Sequence, residues 1–434
     1  MAGVAYLDPG NVASNMTAGA RYGYLLVWVV VVGNIMAWLV QYLSAKLGVV
    51  TGQSLPELLG ARIRSHRARR AYWLQAEIVA MATDLAEVIG GAVALNLLFG
   101  LPLFLGGIIT GAVSMVLLAI HSRRGARTFE FVVIALLAII TIGFVAGLFV
   151  APPSAPEVAA GLLPRFTDAG SVLLAASILG ATIMPHAIYA HSALARDRFG
   201  SASASTDRNH TSPAPARCVS DPLDRVADQN GTPPASGGCV SDPSAIRATE
   251  PRLRRLLRAT RWDVTIALAI AGTVNLAILL LAAANLGDAT GTDSLEGAHN
   301  ALAEGLGSTV ATLFAVGLLA SGLASTSVGA YAGAEIMHGL LHVRIPLLAR
   351  RLITLIPALA ILATNADPTL ALVLSQVVLS FGIPFAVIPL VAFTAQKRTL
   401  GQFANRRPTT ALGILIAALL IVLNAALLWL TFTG

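Results

Sequence analysis

Marked only as hydrophobic or polar, the chain is a succession of long apolar runs separated by short polar connections. Each run is about 20 residues, enough for a helix to cross ~30 Å of hydrocarbon. Eleven candidate spans follow, at about 1–20, 24–46, 71–95, 101–120, 129–151, 169–194, 263–285, 307–337, 350–365, 368–393 and 409–432. The pattern predicts an all-α polytopic membrane protein. Residues 197–250 depart from it, being rich in Ser, Pro, Ala, Asp and Gly with almost no aliphatic run, and are expected to form a disordered loop. Inside that loop Cys218-Val-Ser-Asp-Pro returns as Cys239-Val-Ser-Asp-Pro, a small local duplication. It reads first as an inserted segment, with a paired-thiol redox or metal site as the alternative.

Composition sharpens the class. The chain is 56% hydrophobic and only 12% charged, where a soluble domain carries about 25% charged residues. A net charge of +7 invites a nucleic-acid partner, but the basic residues sit in clusters between apolar runs. Arg62, Arg64, Arg67, Arg69 and Arg70 form one cluster, Arg123, Arg124 and Arg127 another, and Lys397, Arg398, Arg406 and Arg407 the last. The segment between the sixth and seventh spans adds eleven Arg. All fall on one side if the spans alternate, and the other side holds Arg21, Arg165 and the acidic Asp288, Asp293 and Glu296. The positive-inside rule then predicts a cytoplasmic N-terminus and an extracellular C-terminus in a plasma or inner membrane, with the lipid bilayer and not nucleic acid as partner. The two cysteines provide no disulfide framework, and no cleavable signal precedes the first run. Asn209 and Asn230 match a glycosylation pattern only by chance on a cytoplasmic loop. No set of nucleophile, base and water-excluding loop points to an enzyme.

Two spans are interrupted. The first reads Val4-Ala-Tyr-Leu-Asp8-Pro9-Gly10-Asn11. An Asp in an apolar span costs a few kcal/mol on insertion scales, and Pro followed by Gly breaks the helix beside it. Unwound backbone at membrane depth survives only where it lines a protein-enclosed cavity. The sixth span breaks at Gly180-Ala-Thr-Ile-Met184-Pro185-His186. Alone, Met184 reads as packing and His186 as a helix–helix hydrogen bond. Together the breaks occupy matching places in two five-helix halves, which in a transporter marks a midplane substrate site. An odd number of helices per half gives opposite orientations. The expectation is an inverted 5+5 repeat of the leucine-transporter kind, with repeats at 1–151 and 169–393 and an added eleventh helix at 409–432. Asp8 and Asn11 would supply hard oxygens, joined by carbonyls such as those of Ala5 and Ala181. Met184 would supply a sulfur that favours softer first-row metals over Mg²⁺ or Ca²⁺.

Asp8-Pro-Gly-Asn11 and Met184-Pro-His186 resemble the paired signatures of the Nramp metal transporters. The likeness extends to Thr83-Asp84-Leu-Ala-Glu87, to Ser325-Thr326 with Gly329-Ala-Tyr-Ala-Gly333, and to Arg350-Arg351, and covers nearly everything but the 197–250 loop. The resemblance implies inward symport of Mn²⁺, Fe²⁺ and similar ions with protons, the metal being cargo and not a cofactor. It implies Asp8, Asn11, Met184 and the Ala181 carbonyl as ligands, with Ala5 and Gln376 contributing in some states. Asp84 and Glu87, spaced i,i+3, share one face of the third span. That pair reads as a proton pathway countered by Arg350 and Arg351, with His186 as a gate, or else as a self-neutralising structural network. Only seven residues precede Asp8, about 10 Å of helix against ~15 Å for half a bilayer. The expectation is an upstream start or a short inner gate. The rival functions are a metal-sensing or signalling protein on the same scaffold, which wants a large soluble output domain, and a sodium-coupled carrier of small solutes, which wants hydroxyl-rich breaks.

Overall fold

The computed structural model describes residues 8–124, 135, 138–139, 141–142, 144–145, 147–208, 243–287, 291, 294–343, 346–364 and 366–433. Among them the regular structure is helical throughout. The helices of eight residues or more are α1 (Pro9–Tyr22), α2 (Val27–Thr51), α3 (Leu55–Arg62), α4 (His66–Phe99), α5 (Leu103–Arg124), α6 (Ala169–Ile183), α7 (Pro185–Arg208), α8 (Pro243–Asn285), α9 (Leu295–Leu306), α10 (Ser308–Leu341), α11 (Leu347–Ala363), α12 (Pro368–Ala395) and α13 (Arg407–Thr433). Seven helical stretches among the described residues are long and apolar enough to cross a membrane. About half of the expected span at 129–151 lies outside the described residues, and those described between 135 and 150 are helical.

The helix ends follow local chemistry. Asp8 caps α1 by accepting the Asn11 N–H at 2.9 Å, and Pro9 opens the helix where its missing N–H costs nothing. Ser54 and Glu57 form a capping box at the start of α3. Asp168 caps α6 by accepting the Ser171 N–H at 2.7 Å, and Tyr22 at the end of α1 donates its hydroxyl to the same carboxylate at 2.7 Å. The Ser171 amide, then the Tyr22 phenol, hold the Asp168 carboxyl below the usual carboxylate range.

One expectation is corrected here. The segment 197–250 is not loop throughout, because α7 continues to Arg208 and α8 begins at Pro243. Residues 209–242, with Cys218 and Cys239, lie outside the described residues. The polar link after the second span also contains a helix, α3, whose Leu55 and Leu59 are buried while Arg62 is exposed.

A largely apolar core encloses a set of buried polar and charged side chains, and further apolar side chains cover the outside. Every residue of α1 from Pro9 to Ala20 is buried, enclosed by α4, α6, α8, α10 and α12. Outward-facing Ile35, Ile78, Ile266, Ile356 and Val422 are instead well exposed. Contiguous apolar exposure on this scale fits lipid, not water. Close helix contacts depend on small residues, as in membrane bundles. A methyl at Gly180 of α6 would collide with the Gln376 carbonyl of α12, and one at Gly48 of α2 with the Ser192 carbonyl of α7.

Candidate metal site

The two sequence breaks meet. α6 ends at Met184, which adopts φ 44°, a left-handed conformation unusual for a residue with a side chain. Pro185 then starts α7 and contributes no N–H of its own. Across from this break, Asn11 Nδ2 donates to the Ala181 carbonyl at 2.8 Å. Gln376 of α12 completes the cluster by donating Nε2 to Asp8 Oδ2 at 3.1 Å. Gly10 makes room for it, since a methyl there would overlap the Gln376 amide. Ser14 Oγ and Ser177 Oγ, 2.6 Å apart, clamp the two half-helices one turn deeper.

Asp8, Asn11, Ala181, Met184 and Gln376 are thus all buried around one junction, and Ala5 lies outside the described residues. Asn11 sits in the first turn of α1. Asp8 is a wholly buried carboxylate with no salt bridge to any described residue. The Oε1 of Gln376 likewise has no hydrogen-bond donor among the described residues. A buried acceptor left unpaired costs roughly 1–3 kcal/mol. A wholly buried carboxylate without a salt bridge to any described residue, beside an amide oxygen with no donor among the described residues and the turn at Met184, is a donor set that could hold a cation. Mixed oxygen and sulfur donors suit Mn²⁺ or Fe²⁺ better than Mg²⁺ or Ca²⁺.

A second buried cluster lies against the first. Arg351 of α11, fully buried, donates to Asp84 Oδ1 and Glu87 Oε2, both at 2.9 Å, to Ser114 at 3.0 Å and to Thr326 at 3.3 Å. Arg350 donates to Asp84 Oδ2 and to Glu77 Oε1, both at 3.0 Å. Glu77 is the member that sequence reasoning missed. Its position, seven residues before Asp84 and on the same helical stripe, was the available signal. The Gly329 to Gly333 motif has a steric reason. A methyl at Gly333 would overlap the Arg350 guanidinium, and one at Gly329 would lie 3.2 Å from Asp84 Oδ1 and 3.2 Å from Glu87 Oε1.

The clusters touch through Pro9, which leaves no space for a methyl at Gly90 of α4. A methyl at Gly322 of α10 would stand 3.5 Å from Pro9 Cγ and 3.0 Å from the Glu87 carbonyl. His186, two residues beyond Met184, pairs with Thr83 Oγ1 at 3.0 Å and so ties the α7 start to α4, one residue from Asp84. A further group of metal-type ligands, Glu57, Glu335 and His338, has its ligand atoms within 4.8 Å of one another. Its centre is already filled by a cation, because Arg196 Nη1 lies 2.7 Å from both Glu57 and Glu335.

The chain matches known proteins along its length. The family model described as natural resistance-associated macrophage protein-like, Nramp, matches residues 1–430. A divalent metal cation transporter, MntH, of Mycobacterium tuberculosis is 56% identical over 434 residues, covering 100% of this chain and 91% of the relative. The crystal structure of a manganese transporter of Eremococcus coleocola aligns with a TM-score of 0.76 at 31% identity, covering 98% of this chain and 83% of the other. A nucleobase-cation-symport-1 transporter in a closed conformation aligns with a TM-score of 0.52 at 14% identity, covering 100% and 92%, a likeness of fold alone.

Proposed function

The chain belongs to the Nramp family, and from that premise we propose that it imports divalent transition metal ions, Mn²⁺ and Fe²⁺, together with protons by alternating access. Members of this family are transporters and not enzymes, and the chain is a multi-pass membrane protein. The observation that carries the reading is the junction of the two broken helices. There Asp8, with no ion-pair partner among the described residues, stands beside the Gln376 amide, and Asn11 bridges to the Ala181 carbonyl.

In this reading Asp8, Asn11, Met184, Gln376 and the Ala181 carbonyl, with the Ala5 carbonyl, hold the cargo ion. The Asp8 carboxylate supplies the charge and Met184 the preference for softer metals. Asn11 Nδ2 now spends itself on Ala181, so the ion competes for that carbonyl and loosens the link between the half-helices. The metal is cargo, and no resident cofactor is invoked. Two half-helices that part at a single residue, Met184, can swing about it and open the site to one side at a time.

The second cluster carries the protons. Glu77, Asp84 and Glu87 face Arg350 and Arg351, so three carboxylates meet two guanidiniums and the fully ionised cluster is one negative charge in excess. A low-dielectric interior disfavours that excess, and a proton on Glu87, whose Oε1 has no donor among the described residues, removes it. His186, two residues beyond Met184 on α7, pairs with Thr83 of α4, the neighbour of Asp84, and so connects the junction to this cluster. A membrane potential contributes ~2.3 kcal/mol per charge per 100 mV, so a dication is driven inward about twice as hard as a proton. The Arg clusters support a plasma-membrane location with a cytoplasmic N-terminus and an extracellular C-terminus. The repeats run over 1–151 and 169–393, with 409–432 appended.

Mn²⁺ binding to the detergent-purified chain tests the site, measured by titration calorimetry. Wild type should bind, and Asp8→Ala should lose binding while eluting as the same monodisperse species. Equal affinity in the two proteins would remove Asp8 from the site.

A further inference from the structure

Between α2, α7 and α8 lies a cavity of about 310 Å³, lined by His191, Arg198, Phe199, Thr260 and Asp263 among others. Its wall is mixed. Among the described residues it carries one carboxylate, Asp263, one guanidinium, Arg198, and the His191 imidazole, beside apolar Leu194 and Phe199. Thr260 is only 6% exposed, and its hydroxyl has no hydrogen-bond partner among the described residues. A buried hydroxyl left unpaired at a cavity wall is a group waiting for a ligand.

The surroundings say which ligand. Asp263 lies on the same stripe of α8 as Ile266 and Ile270, three and seven residues further along, which are 57% and 38% exposed. The cavity therefore opens where the helix changes from polar to lipid-facing. Trp262, 63% exposed, stands beside it, and Arg261 sits 5.6 Å over the ring of Trp38, which stacks on Tyr42. Trp and Tyr concentrate at the headgroup level of a bilayer. On the other side Arg252, Arg254, Arg255 and Arg258 of α8 are exposed.

We propose that this cavity seats the headgroup of an aminophospholipid from the arginine-rich leaflet, a phosphate joined to a primary ammonium. The phosphate pairs with Arg198 and takes the Thr260 hydroxyl as a donor. The ammonium donates to Asp263, and the acyl chains run along Ile266 and Ile270. An anionic headgroup without an amine would leave Asp263 facing a phosphate, and a choline headgroup has no N–H to donate. The mixed charge of the wall selects the amine.

Native mass spectrometry of the full chain tests this by titration with phosphatidylethanolamine, phosphatidylcholine and phosphatidylglycerol of identical acyl chains. Wild type should bind phosphatidylethanolamine roughly fivefold more tightly than phosphatidylcholine, about 1 kcal/mol. Asp263→Asn, a substitution at an exposed position, should abolish that preference and leave phosphatidylcholine binding unchanged. Thr260→Val with Arg198→Ala should weaken all three lipids. Equal binding of the ethanolamine and choline lipids by wild type, tighter binding of phosphatidylglycerol, or a preference that survives Asp263→Asn would each overturn the proposal.

Discussion

Arg351→Met removes the cation that holds the buried charge cluster together, and its cost can be worked from the geometry. Arg351 is fully buried and donates to Asp84 and Glu87 at 2.9 Å, to Ser114 at 3.0 Å and to Thr326 at 3.3 Å. Among the described residues it is the sole ion-pair partner of Glu87, whereas Asp84 keeps Arg350. Breaking a buried pair by removing one partner costs roughly 3–5 kcal/mol, mostly for the charge left behind. Met fills much of the Arg volume, so a cavity adds little. The single variant should therefore be destabilised by about 3–5 kcal/mol at alkaline pH, where the proton that the cluster otherwise holds on Glu87 is gone. Adding Glu87→Gln takes away the stranded charge and should restore about 2 kcal/mol, a coupling within the range expected for contacting groups. Unfolding in mixed micelles, followed by circular dichroism, measures both. A loss under about 1 kcal/mol for Arg351→Met, or a double variant less stable than the single, would refute the reasoning.

Met184→Ala should deepen Ca²⁺ inhibition of Mn²⁺ uptake, since an oxygen-only site no longer disfavours a hard ion; an unchanged inhibition curve in competition assays would make Met184 a packing residue. Asp84→Asn and Glu87→Gln should each weaken proton flux and the pH dependence of uptake more than Mn²⁺ affinity, and the pair should combine non-additively in vesicle flux measurements. Gly90→Val should slow transport several-fold while the protein still inserts, because its side chain would occupy the space of Pro9; wild-type uptake rates would show that α1 has slack at that contact. Asp168 is held below the ordinary carboxylate range by the Ser171 amide first and the Tyr22 phenol second. A depressed carboxyl gives stability that is complete above its unfolded value and is lost as pH falls through its folded one. Protection of the Ser171 amide from hydrogen exchange should accordingly persist down to about pH 4 and fail in stronger acid, and Tyr22→Phe should move that failure to higher pH.

The membrane class and the two breaks were legible because they are local. A run of apolar residues declares a span, and Pro beside an ionisable or soft side chain declares its interruption. The pairing of Asp84 and Glu87 was legible too, since three residues on a helix share a face. Gln376 was reached only through family likeness, because nothing in the pattern of α12 sets apart one Gln whose amide reaches a residue 368 positions away. The Asn11 bridge to Ala181 spans 170 positions and depends on the packing of Ser14 on Ser177. Glu77 was passed over because it sits near the polar end of its span, where a carboxylate reads as solvent-facing, yet Arg350 draws it inward. The polar link after the second span hid α3, whose eight residues are too short for a periodic signal to stand out.

The central claim is that metal enters through the junction of the two broken helices while protons enter with it through the adjoining carboxylate–arginine cluster. Its most direct test is Mn²⁺ uptake into proteoliposomes that carry one dye for Mn²⁺ and another for internal pH, with and without an inward proton gradient. The account predicts Mn²⁺ entry that accelerates with the gradient and acidifies the lumen in step, and that vanishes in Asp8→Ala. Mn²⁺ entry with no acidification at any gradient, or undiminished entry in Asp8→Ala, would contradict it.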